Sequence, residues 1–213
     1  MTDEEYLEYK RQSMGGLFAE EASGLRASLS DEAREKLFSA ADKKLEGYYV
    51  LPGTGGKYMY LGAPPKWLER TVPDVEFHWQ LNRLSELGTL TRAYLVSGNE
   101  AYARQAITNL LDWIKTCPVP EFEDASITAA EANKHFNSLT PWRALEAGIR
   151  MFGAYPSFYR NMLLSELMTP ELHSAILLSV YEHGRVLAYA SPLIWPNADH
   201  NHYVHEMLGL LKL

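Results

Sequence analysis

Cysteine is almost missing from this chain: Cys117 stands alone among 213 residues. No internal disulfide can form, and no disulfide framework argues for export. Long apolar runs are missing too, and none reaches the length of a membrane span. Basic charge is scarce, with 20 Lys and Arg against 27 Asp and Glu and a net charge of −7. That balance excludes a nucleic-acid partner of the usual kind, which needs a basic face. It leaves room for a local arginine cluster that holds an anion. No G-x-S-x-G and no dinucleotide fingerprint occur, and "LPGTGGKY" fails the spacing of a phosphate loop and follows no strand. No cofactor is called for, and neither is a membrane partner.

What is present is helix. Hydrophobic residues at 46% and charged residues at 22% suit an ordinary globular domain, and the length suits one domain or slightly more. Ser30 with Asp31 and Glu32 reads as a helix cap with acids in the first turn, running to Gly47. Residues 48–75, rich in Gly, Pro and aromatics, read as a long ordered loop of the kind that is often functional. From 77 to 97, Leu84, Leu87, Leu90 and Tyr94 fall at helical spacing. Gly98 ends that helix, and Asn99 caps a second with Ala103, Ile107, Leu110 and Ile114 on one face, which makes an antiparallel hairpin. Pro118 and Pro120 break the next stretch. Thr140-Pro141 and Thr169-Pro170 each read as a cap followed by proline at the first helical position. The expected class is all-α, with helix pairs that could stack as a solenoid, a bundle or a closed toroid.

Three polar clusters carry possible chemistry. In "PNADHNHYVHE", residues 196–206, His202, His205 and Glu206 share one helical face. Their order, H-x-x-H-E, matches neither zincin pattern, so no metal is assigned. Asn201 and His202 in a first turn would instead suit an anion, because free N–H groups and the helix dipole favour it there. In "TPWRALEAGIR", Arg143, Glu146 and Arg150 form a polar stripe opposite Trp142, Leu145, Ile149 and Phe152. That stripe is either a solvated salt-bridge ladder or a cleft wall where guanidinium grips carboxylate or sulfate. In "EFHWQLNR", Trp79 with Arg83 and His78 with Asn82 are turn-spaced pairs that suit a sugar face, or an ordinary core tryptophan with polar neighbours.

Taken in order, "EFHWQLNR…DWIKTCP", "WRALEAGIR" and "DHNHYVHEMLGLL" resemble the N-terminal helical domain of heparinase II/III-type polysaccharide lyases, a group that includes oligoalginate lyases. The resemblance covers residues 76–211. It implies an incomplete α/α toroid over 1–213, truncated before C-terminal β domains, in a protein that cleaves uronate-containing polysaccharide or oligosaccharide by β-elimination. On this resemblance Asn201 neutralises the substrate carboxylate and His202 stands beside it. Trp79, Asn82, Arg83, Trp142, Arg143, Glu146, Arg150 and Glu206 bind substrate or buttress the groove. The family's base tyrosine lies beyond the Asn-His pair, and none of the 13 tyrosines here takes its place. The chain by itself is therefore expected to carry half a site, to be inactive, and to need its missing β domains as partner.

Two other readings stay open. One is a toroid glycoside hydrolase using Asp199 and Glu146 as its carboxylate pair. The other is a non-catalytic module that binds glycan or protein through the aromatic loop. The polar start "MTDEEYLEYKRQSM" is unlike a signal peptide. A cytoplasmic protein is expected, or a periplasmic or secreted one if a leader has been removed.

Overall fold

The computed structural model describes residues 1–212, and among them the chain is all-α apart from one pair of two-residue strands. Helix α1 (Asp3–Ser28) opens on a capping box: Thr2 accepts from the Glu5 N–H, and Glu5 answers at the Thr2 N–H. The T-x-x-E spelling announces this helix, which apolar periodicity does not. Helix α2 (Asp31–Leu45) has the expected Ser30 cap, with Ser30 Oγ accepting from the Ala33 N–H. The loop that follows is ordered, as expected, but it holds a small hairpin. Strands β1 (Tyr48–Tyr49) and β2 (Met59–Tyr60) pair antiparallel, Tyr48 opposite Tyr60.

The helix expected over 77–97 is two. Helix α3 (Val75–Leu81) stops, and α4 (Ser85–Ser97) starts after Leu84, whose φ is 57°. A buried leucine in the left-handed region is strained. Burial of the side chain, with Leu81 and Leu87 beside it in the core, holds it there. The break turns Asn82 and Arg83 out of the helix axis that periodicity alone would give them. Gly98, with φ 72°, ends α4, and Asn99 caps α5 (Glu100–Thr116) through the Ala101 N–H. Leu87, Leu90 and Ala93 of α4 face Ala103, Ala106, Leu110 and Trp113 of α5, all buried. Each large apolar side chain so buried contributes roughly 1.5–3 kcal/mol.

Helix α6 (Ala129–Phe136) carries a second capping box, from Thr128 and Glu131. The Thr140-Pro141 signature does not start a helix. Thr140 Oγ1 bonds the His135 carbonyl instead, and α7 (Ala144–Ile149) begins at Ala144. A π-turn at 150–154 leads into α8 (Tyr155–Met162). Thr169-Pro170 behaves as expected: Thr169 caps α9 (Pro170–Arg185), and a second π-turn at 186–190 follows. After α10 (Ser191–Ile194), α11 (Asn201–Leu210) packs directly on α7. The contact is backbone to backbone. A Cβ on Gly148 would stand 2.7 Å from Glu206 Cα, and one on Gly209 would stand 2.6 Å from Gly148 Cα. This glycine pair brings the C-terminal half of α11 against the end of α7.

Candidate functional site

Three segments meet where the sequence placed its polar clusters: the end of α3, the start of α7 and the start of α11. Glu146 sits at their centre with 0% of its side chain exposed. Its Oε2 accepts from Arg83 Nε at 2.6 Å, and its Oε1 accepts from Arg143 Nη1 at 3.1 Å. Arg83 also lies 3.7 Å from Glu76. The Arg143 guanidinium lies flat over the Trp79 ring, 3.9 Å from its centroid. One buried carboxylate thus orients two arginines, and a tryptophan face fixes one of them.

Beneath this layer is Arg150, fully buried. Its Nη1 donates to the carbonyls of Asn82 at 2.7 Å and Pro141 at 2.8 Å, and its Nε donates to His183 Nε2 at 2.8 Å. The guanidinium stacks over Trp113 at 4.4 Å and Trp142 at 5.4 Å. His183 Nδ1 bonds the Ser179 carbonyl at 2.7 Å, so the proton sits on Nδ1 and Nε2 is bare. Burial, and then the Arg150 charge, hold this imidazole well below the ordinary histidine range. Asn82 completes the layer by bonding the Trp67 and His78 carbonyls and accepting from the Trp113 indole N–H at 2.9 Å. Arg150 therefore ties down the backbone just before Arg83 and just before Trp142-Arg143.

The upper layer belongs to α11. Its cap is His200: His200 Nδ1 accepts from the His202 backbone N–H at 3.1 Å. Asn201 and His202 do fall in the first turn, with Asn201 exposed and His202 half-buried. Burial first, then the charge of Arg143, lowers the His202 imidazole below its ordinary value. A neutral imidazole at pH 7 follows, free to donate one N–H.

Several expectations change in the folded protein. Asn82, Trp142, Glu146, Arg150 and Glu206 are buried, which suits the buttressing role expected of them better than direct substrate contact. The polar stripe Arg143, Glu146 and Arg150 is no solvated ladder, because two of its three members face inward and Phe152, expected in the core, is 52% exposed. Trp79 offers no free sugar face on the side that Arg143 covers. The hydrolase pair fails as well: both oxygens of Glu146 are engaged by arginines, so it does not face Asp199 as a free acid or base. His202, His205 and Glu206 do not converge, since Glu206 turns inward and His205 outward. Among the described residues no three His, Cys, Asp or Glu side chains are grouped to hold a metal ion, and no helix is long and apolar enough to cross a membrane. Sequence reasoning missed His183, Trp195 and His200. For His200 the signal was its place just before Asn201; for His183 there was none.

Comparison with known proteins agrees with this fold. The family model for the heparinase II/III N-terminus matches residues 4–212. A heparin-sulfate lyase from Bacteroides stercoris is 30% identical over 149 residues, 68% of this chain and 22% of its own length. One from Pedobacter heparinus is 28% identical over 170 residues, 80% of this chain and 23% of its own. The chain thus spans under a quarter of either relative. A crystal structure of a heparan sulfate lyase mutant from Pedobacter heparinus superposes on 98% of this chain and 33% of its own, with TM-score 0.66 and 22% identity, which shows a shared fold. Matched over nearly its whole length, this chain belongs to the heparinase II/III family through that family's N-terminal region.

Proposed function

We propose that this chain is the helical, carboxylate-binding half of a lyase centre that cleaves a uronate-containing polysaccharide by β-elimination. Heparan sulfate is the leading substrate class, from the named activity of the relatives. The observation that carries the reading is Asn201, exposed at the first turn of α11 beside a neutral His202 and within the field of Arg143. The chemistry asks for this combination. A base takes the C5 proton of the uronate, the C4–O bond breaks, and the leaving oxygen takes a proton from an acid. Charge spreads into the uronate carboxylate on the way. The Asn201 amide and the His202 N–H stabilise that charge without adding a competing negative one, as an oxyanion hole does. Arg143, held by Glu146 and Trp79, adds a fixed positive charge near the carboxylate or a neighbouring sulfate. In this reading the base tyrosine comes from polypeptide outside residues 1–213, and the β domains there are the chain's partner.

The test is product chemistry. The longer protein that contains this chain, given heparan sulfate, should release an unsaturated uronate that absorbs in the near ultraviolet. Residues 1–213 alone should bind the glycan and release none. A saturated product would point to hydrolysis. A second reading, the binding module, draws on the loop tyrosines Tyr48, Tyr58 and Tyr60, which stand exposed. It predicts glycan or protein binding that survives Asn201→Ala and is lost with the tyrosines.

A further inference from the structure

The start of α11 is held by residues outside the cluster just described. Trp195 and His200 lie face to face, ring centroids 4.1 Å apart and planes 8° apart. His202 stands edge-on to both, 4.3 Å from His200 and 5.7 Å from Trp195. The Trp195 indole N–H donates to Glu206 Oε1 at 3.1 Å, so the far end of the tryptophan is anchored on α11 itself. Between Trp195 and His200 the chain passes through Pro196 and through Ala198 at φ 53°, and the Ala198 N–H bonds the Trp195 carbonyl at 3.0 Å. The loop closes on itself, and the two rings form its clasp.

The cap is chemically unusual. Ser, Thr, Asp or Asn normally accept the first-turn N–H. An imidazole can do so only through a bare nitrogen, so His200 must carry its proton on Nε2 alone. A second proton would remove the acceptor and place a cation at the positive end of the helix. The cap therefore exists only while His200 is neutral. Charged and titratable groups face this end from both packed helices: Asp199 adjoins it in the chain, His202, His205 and Glu206 lie on α11, and Arg143 and Glu146 face them from α7.

We propose that Glu206, Trp195 and His200 form a positioning unit that fixes Asn201 and His202, with His200 acting as a neutral cap. Glu206 anchors the indole, the indole face holds the imidazole in its capping rotamer, and the imidazole holds the His202 N–H. None of the three touches substrate. The significance of the unit rests on Asn201 and His202 being the carboxylate-binding pair, but its geometry is measurable without any activity.

Imidazole nitrogen NMR and amide hydrogen exchange on the 213-residue chain test it. His200 should show the Nε2–H tautomer, and the His202 amide should be protected relative to its intrinsic exchange rate at neutral pH, with that protection lost once His200 is protonated. W195A and H200A should each speed that exchange about five- to tenfold, the scale of one lost N-cap. H200N, which supplies a side-chain oxygen that does not titrate, should keep the His202 amide protected into acid. E206Q should retain the clasp through its amide oxygen, and E206M should lose it. Should W195A fail to fold, W195F, which keeps the ring face and loses the N–H, and H200N decide the matter. An Nδ1–H tautomer of His200 would overturn the proposal, and so would His202 exchange that is unchanged in H200A. Failure of the lyase reading looks different: the wild-type chain would show the exchange pattern and bind no uronate.

Discussion

Arg143 and Arg150 begin from the same chemistry, seven residues apart, and end in opposite situations. Arg150 is buried, with two carbonyls on Nη1, the His183 ring on Nε, two tryptophans on its faces and only Nη2 without a partner. Arg143 gives one donor to Glu146 and one face to Trp79, and among the described residues its other donors are unengaged. The difference teaches that what is already bonded, more than residue type, decides which arginine can meet a ligand. One layer is closed and carries the backbone; the layer above is open and carries the chemistry.

Breaking the closed layer should have the largest effect on stability. Arg150→Met removes a buried cation and leaves three acceptors bare, so it should destabilise the fold by about 4 kcal/mol, read by urea unfolding. A change below about 1 kcal/mol would mean that the layer is no framework at all.

Two of the buried acids sharpen the contrast. Glu146 has two arginines; Glu86 has only the more distant charge of Lys44, and one of its oxygens has no partner. Burial pushes the Glu86 carboxyl from 4.5 up to about 7. The folded state therefore holds this proton more tightly than the unfolded state. Its contribution is fully present below pH 4.5 and is lost as pH rises to about 7, a swing of about 3 kcal/mol. Glu86→Gln should flatten that slope, measured as the thermal midpoint against pH; an unchanged slope would remove Glu86 as its source. Glu146→Ala should cost less than Arg150→Met, about 2 kcal/mol, because Arg83 and Arg143 retain some water. Its larger consequence should be weaker binding of a uronate oligosaccharide, read by calorimetry.

Much of the fold was legible. Ser30, Asn99 and Thr169 declared their helices because a cap is local chemistry, written within four residues. Thr140-Pro141 failed because the same local signal lost to a tertiary bond from Thr140 to His135. The break at Leu84 was hidden because its periodicity runs unbroken through it. At the site, Asn201 and His202 were legible as a first turn. The roles of Asn82, Trp142 and Arg150 were not, since periodicity put Arg150 on a polar face and only packing shows that face turned inward.

Asn201→Ala in the longer protein tests the central claim most directly, with unfolding and release of unsaturated product measured on one preparation. Asn201 is exposed and belongs to the open layer. Stability should therefore move by less than about 0.5 kcal/mol, while turnover falls by ~10² or more, the loss expected for an oxyanion-type donor. An intact fold with turnover reduced less than about fivefold would contradict the account.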